Sequence, residues 1–174
     1  MTGVGDMWQQ AATKWNEVSS QITEADWEKP CATCPEWTVR DLVDHAMHWQ
    51  ATGGGALGAS TSPGDEWAAV QPALAAALAD PANLEGTVEA FGNMSKQAVA
   101  GTVIGDLLVH SWDLARAIGA DDTLPAEATT ATLMGLQRMP DEMLRSETMF
   151  GPALQAAEGA SEQDQLLAFV GRQV

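Results

Sequence analysis

Residues 100–119, Ala100 to Gly119, read as a helix that is apolar on nearly every side, yet they carry Asp106, His110 and Asp113 at spacings of four and three. Those three polar groups share one face. A helix that is hydrophobic all round belongs in the middle of a core, where an unpaired polar group costs on the order of 2–7 kcal/mol and a charge costs more. Partners must therefore be supplied from elsewhere in the chain. There are three histidines in all, and one of the others, His45, lies on a second apolar helical stretch. A metal held between two helices is the leading explanation.

At 174 residues the chain has single-domain length, enough for one substantial core. Eight Lys and Arg stand against 24 Asp and Glu, a formal charge of −16, which repels phosphate backbones and anionic membrane surfaces. Nucleic acid and membranes are therefore not expected as partners. No run approaches the ~20 apolar residues needed to cross a bilayer, and the first residues lack the basic-then-apolar start of a secretory signal, so the expected location is the cytoplasm. Two cysteines, Cys31 and Cys34, are too few for a disulfide scaffold.

The chain is rich in Ala, Leu and Met and shows no sustained period-two alternation, so the expected class is all-α. A first helix is predicted from about Asp6 into the 24–27 region, with Met7, Ala11, Trp15, Val18 and Ile22 at helical spacing. The second has a clear start: Thr38 as N-cap, Asp41 three residues on as in a capping box, and Trp37 with Leu42 as a hydrophobic staple. Its end is expected near Gly53-Gly54-Gly55. A third helix is predicted between Asp65 and Ala79, kinked or divided by Pro72. Residues 83–94 read as an irregular or extended connection, and the central helix over 100–118 follows, closed by Gly119. Pro125, Pro140 and Ser161 mark later helices near 125–139, 141–148 and 161–170. Together these give a helical bundle with short additions.

On the second helix His45 shares a face with Asp41, Leu42 and Trp49, and His48 lies one turn away. On the central helix Asp106 and His110 form an i, i+4 pair, a spacing that aims two side chains at one ion from a single rigid element. With His45 they make two imidazoles and one carboxylate. That set suits a catalytic zinc with an open position, and equally the two-His-one-carboxylate site of non-haem iron. The competing reading has equal standing: His110 is a core histidine bonded to Asp106 or Asp113, and His45 is near the surface. Asp113 is expected to support a liganding histidine, or to pair with Arg116 or Arg40. His48 is a candidate proton carrier.

Other motifs carry less. Cys31-Ala-Thr-Cys34 followed by His45 and His48 has the wrong spacings for a zinc finger and no strand context for a thioredoxin-like site, so each cysteine reads as a buried structural thiol. The glycine triplet has neither the Lys-Ser/Thr nor the strand of a phosphate loop. Gly101 and Gly105 read as positions where a neighbouring helix or ligand approaches the backbone.

Two longer stretches, Cys34-Pro-Glu-Trp-Thr-Val-Arg-Asp-Leu-Val-Asp-His45 and Asp106-Leu-Leu-Val-His110-Ser-Trp-Asp-Leu-Ala-Arg-Ala-Ile-Gly119, carry a resemblance. The chain resembles the DinB-like metal-binding superfamily, specifically the actinobacterial group similar to the N-terminal domain of mycothiol-dependent maleylpyruvate isomerase. The stretches Phe150-Gly-Pro-Ala-Leu154 and Ala160 to Arg172 look like the same subgroup. The resemblance implies a DinB-like four-helix bundle with additional short helices, holding a divalent metal on a histidine of the second helix and an acidic-x-x-x-His pair of a later one. Those positions match His45, Asp106 and His110. Asp106 stands where the isomerase carries Glu, one methylene longer. Zinc is the metal the resemblance favours, with iron, nickel or manganese as alternatives, and a low-molecular-weight thiol, mycothiol, is the implied cosubstrate.

Two functions follow as expectations. In the first, a metal-dependent enzyme activates a thiol, or water, for attack on an electrophilic small-molecule substrate, with His48 or Asp113 assisting proton transfer. In the second, a non-catalytic helical module binds a small apolar ligand or a protein partner through a cleft rich in Trp and Met. A homodimer is compatible with either.

Overall fold

A computed structural model describes residues 3–34, 36–145 and 150–174. Its helices are α1 (Val4–Ser19), α2 (Val39–Ala56), α3 (Trp67–Ala79), α4 (Lys96–Ile118), α5 (Ala126–Leu136), α6 (Asp141–Leu144) and α7 (Glu162–Phe169). The only sheet among the described residues is a two-residue antiparallel pair, β1 (Thr87–Val88) with β2 (Met94–Ser95). The class is all-α, as expected.

Helix α4 is the organising element. It starts at a Ser95 cap, whose hydroxyl accepts from the Ala98 amide, and ends at Gly119 in the left-handed conformation that an L side chain resists. At 23 residues it is about 35 Å long, and fifteen of its residues are buried, from Val99 to Ala115. α1 and α2 pack along it, and α3 closes the ring by packing on both α1 and α2, so these four form a bundle. Trp8, Trp15, Leu42, Leu57, Leu74, Leu107, Leu108 and Trp112 fill its interior. One polar group ties three helices inside that core. Gln50 accepts from the Trp8 indole at 3.2 Å and donates to the Val103 carbonyl at 2.8 Å. α5 lies against α4 and α1, and α7 lies against α5; a smaller apolar cluster of Val109, Leu133, Leu136, Leu144, Leu166 and Val170 joins them to α4.

Several local expectations are corrected. α1 stops at Ser19, well before the 24–27 region, because Asp26 accepts from both the amide and the hydroxyl of Thr23 and turns the chain. α3 runs unbroken through Pro72, held by buried Val70, Leu74, Ala77 and Leu78 and by the Trp67 indole donating to Asn16 Oδ1 at 2.6 Å. The irregular or extended connection expected over 83–94 is present, carrying the β1–β2 hairpin and the 3-10 turn Glu89–Phe91, with a second 3-10 turn, Pro81–Leu84, overlapping its start. α4 begins four residues before Ala100, and α5 ends at Leu136, short of 139. Of the helix predicted over 141–148, residues 141–144 are helical, and 146–148 lie outside the described residues. α2 ends at Ala56, one residue past the glycine triplet near which its end was expected, and the absence of a Cβ at Gly53 serves a second purpose in admitting the Val103 side chain of α4. Gly105 plays the same part toward Thr132 of α5, whereas Gly101 faces open space.

Candidate metal centre

The start of α2 sets the direction of His45. Thr38 and Asp41 form the expected reciprocal cap: the Asp41 amide donates to Thr38 Oγ1, and Asp41 Oδ2 accepts from the Thr38 amide at 2.9 Å. The preceding loop is stitched onto this turn by Cys31 N–H to Trp37 O, Val39 N–H to Lys29 O and Arg40 N–H to Trp27 O. Seven residues into the helix, His45 faces α4.

There the structure brings together three of the five residues picked out from the sequence. His45 Nε2 lies 3.6 Å from Asp106 Oδ1, and His110 Nε2 lies 3.4 Å from the same oxygen. The two imidazoles meet edge to face with ring centres 5.0 Å apart, and the Trp37 indole flanks them at 4.8 Å from His45 and 6.1 Å from His110. His45 is the open side, its side chain 37% exposed, while Asp106 and His110 are 13% and 9% exposed.

These distances are long for charge-assisted hydrogen bonds, which fall near 2.7–2.9 Å. They suit another arrangement: ligand atoms bonded at about 2.0–2.1 Å to a tetrahedral ion sit about 3.4 Å from one another. All three residues offer a ligand atom within 4.8 Å of the others'. Asp106 Oδ2, moreover, is a buried carboxylate oxygen with no hydrogen-bond partner among the described residues. Such an atom costs about 1–3 kcal/mol or more unless something pairs with it. The donor set, the spacing and the orphaned oxygen fit a divalent cation.

Behind His110 is a second layer of polar groups. Its Nδ1 lies 2.9 Å from Asp113 Oδ2, which fixes the other nitrogen, Nε2, toward Asp106. Asp113 is fully buried and is held by a two-point contact from Arg172, Nη2 to Oδ2 at 2.8 Å and Nε to Oδ1 at 3.2 Å. The Cys34 thiol donates to Asp113 Oδ2 at 3.4 Å. Asp113 thus contacts a histidine ring as expected, and only its arginine partner is corrected: Arg116 pairs with Asp122, and Arg40 pairs with Glu28 and stacks on Trp27. Sequence reasoning missed Arg172 because the contact spans 59 residues; its one signal was a basic residue directly after the apolar run of α7. Asp113 faces this interior layer rather than the open side. His48 is exposed on α2, outside the group of three.

Burial opposes charge on Asp106, His110, Asp113 and Arg172, and mutual attraction outweighs it. Without a cation, His110 is pushed up to about 9 by Asp106 and Asp113, and Asp106 is held below the ordinary carboxylate range by His110 and His45. Asp113 lies far below that range because His110 and Arg172 both contact it. The metal-free centre alternates two carboxylates with two cations.

Cys34, His110 and Asp113 also offer three ligand atoms within 4.8 Å of one another. A guanidinium already occupies that space, so a second cation there would meet the Arg172 charge 2.8 Å from Asp113 and 3.6 Å from Cys34. No helix among the described residues is long and apolar enough to cross a membrane.

A family model described as the mycothiol maleylpyruvate isomerase N-terminal domain matches residues 8–91, a stretch that includes α2 and His45 and stops short of α4. Two uncharacterized proteins of Mycobacterium tuberculosis, MT0763 (strain CDC 1551 / Oshkosh) and Rv0738 (strain ATCC 25618 / H37Rv), are each 29% identical to this chain over 153 residues, covering 81% of it and 82% of their own length. No solved structure matches. Over residues 8–91, the chain is thus similar to the mycothiol maleylpyruvate isomerase N-terminal domain.

Proposed function

We propose that the protein binds one divalent cation on His45, Asp106 and His110 and uses it to activate a low-molecular-weight thiol for attack on an electrophilic small molecule. The single observation that carries this reading is the Asp106 carboxylate, whose Oδ1 stands at ligand-to-ligand spacing from two imidazole nitrogens while its buried Oδ2 has no partner among the described residues. A bound divalent ion supplies a Lewis acid that keeps a thiol, or water, deprotonated at neutral pH. Zinc suits the ligand set, and the family description points to mycothiol as the thiol.

The chain's own residues have defined tasks around it. Asp113 holds His110 in the tautomer that leaves Nε2 free and is itself held by Arg172, so it acts as a positioning residue. Trp37 covers one side of both imidazoles and keeps water from that side. Substrate enters at the exposed edge of His45, and His48, exposed one turn further along α2, carries a proton between that entrance and bulk solvent, a reading supported by the exposure of both side chains.

The test is metal analysis of protein purified without a histidine tag, with zinc titration of the chelated form. Wild type is expected to hold about one equivalent, and His110→Ala to bind at least about tenfold more weakly. Equal, near-zero occupancy in both after zinc titration would overturn the reading. Thiol consumption with an electrophilic acceptor, abolished by chelation, then separates a thiol enzyme from one that activates water.

A further inference from the structure

Cys31 and Cys34 are not used by the proposed activity, and their placement is more specific than two inert core thiols require. The Cys34 amide donates to the Cys31 carbonyl at 3.1 Å, closing a four-residue turn whose end Cα atoms lie within about 7 Å. A disulfide needs about 4.4–6.8 Å, so the turn holds the two Cα atoms close to the required span. Both thiols are free. Cys31 Sγ also lies 3.4 Å from Thr33 Oγ1, while Cys34 Sγ lies 3.4 Å from Asp113 Oδ2 and 3.6 Å from the Arg172 guanidinium.

We propose that Cys31 and Cys34 form a reversible dithiol–disulfide site, oxidised by a small hydroperoxide, in contact with the Asp113–His110 pair. The site stands independently of the cation reading. Cys31 is the attacking sulfur. The neighbouring Cys34 and Thr33 bring its thiol down to about 6, whereas Cys34, whose one proton is directed to Asp113 Oδ2, is pushed well up and keeps that proton. The Cys31 thiolate attacks one peroxide oxygen, the O–O bond breaks, and the departing oxygen leaves as water after taking a proton. Cys31 is then a sulfenic acid. Cys34 Sγ attacks that sulfur, the S–O bond breaks, and the Cys34 proton leaves with the hydroxide as a second water. Two thiols and one peroxide thus give one disulfide and two waters.

The low exposure of both residues, 2% for Cys31 and 8% for Cys34, selects an oxidant the size of hydrogen peroxide over a bulky disulfide. Oxidation also has a structural consequence. A disulfide sulfur has no proton to donate, so Asp113 Oδ2 loses the Cys34 contact and keeps His110 and Arg172.

Hydrogen peroxide is added to the folded, metal-free protein, and thiols are counted alongside the intact mass and the His110 imidazole NMR signal. Both thiols are expected to disappear together with a loss of two hydrogens, the His110 signal to shift, and dithiothreitol to reverse all three. Cys34→Ser is expected to stop at a sulfenic acid that dimedone traps, and Cys31→Ser to react at least about tenfold more slowly. Wild-type thiols that stay free until urea is added, or a mass that rises by oxygen without disulfide formation, would overturn the proposal. So would a disulfide that leaves the His110 signal in place.

Discussion

His110 has a carboxylate on each ring nitrogen, 3.4 Å away at Nε2 and 2.9 Å at Nδ1, and this decides how the metal-free centre responds to pH. Its folded value of about 9 lies above the ordinary 6.5. The imidazolium therefore contributes stability that is whole below about pH 6.5 and is lost as pH rises through about 9. Asp113 has the opposite sign: its depressed value gives a contribution present above about pH 3.9 and lost as pH falls below it. The chelated protein is expected to lose at least about 3 °C of melting temperature between pH 6.5 and 9.5, and His110→Gln to lose much less. A flat wild-type profile would refute the coupling. The same proton competes with a cation for Nε2. Zinc binding at pH 7 is then expected to release close to one proton, read from calorimetry in buffers of different ionisation enthalpy.

Helix α4 shows how one element serves two purposes through its glycines. Gly101 has no neighbour within 4 Å of where a Cβ would stand, while a Cβ at Gly105 would meet Thr132 Cγ2 at 2.9 Å. Gly101→Ala is expected to stabilise by about 0.5–1 kcal/mol, since the helix gains propensity without a contact to break. Gly105→Ala is expected to destabilise by about 1–2 kcal/mol, with Thr132→Ser in the same chain recovering most of the loss. Urea denaturation measures both, and equal effects at the two positions would show that α5 does not press on Gly105. Much of this helix was readable in advance. Its apolar surround, the Asp106/His110 spacing and the Gly119 stop are local signals, as is the Thr38/Asp41 cap that starts α2. The end of α1 was not readable, because helical periodicity continues past Ser19 while the Asp26 turn that breaks it depends on two short hydrogen bonds. Nor was the role of Gly53, which depends on Val103, a residue fifty positions away on another helix.

At the scale of the molecule, the centre depends on a contact that closes the chain from α7 back onto α4. Only eight basic residues stand against the 24 acidic ones, and one of them, Arg172, is committed to the fully buried Asp113. The net charge of −16 gives the chain no general shortage of carboxylates to attract an arginine, so its burial here reflects position, not scarcity of partners. α5 packs on α4, α7 packs on α5, and the Arg172 amide donates to the Leu167 carbonyl at 2.8 Å, which turns the segment after α7 inward. Removing the guanidinium leaves a buried carboxylate facing only His110 and a thiol. Arg172→Met is expected to cost about 3–5 kcal/mol in urea denaturation of the metal-free protein at pH 7, the usual penalty for breaking a buried pair from one side. Adding Asp113→Asn to that variant removes the stranded charge and is expected to restore at least half of the loss, because the amide oxygen still accepts from His110 Nδ1. If Arg172→Met matches wild type, the contact holds neither α7 nor Asp113 in place, and the orientation of His110 must come from packing within α4 alone.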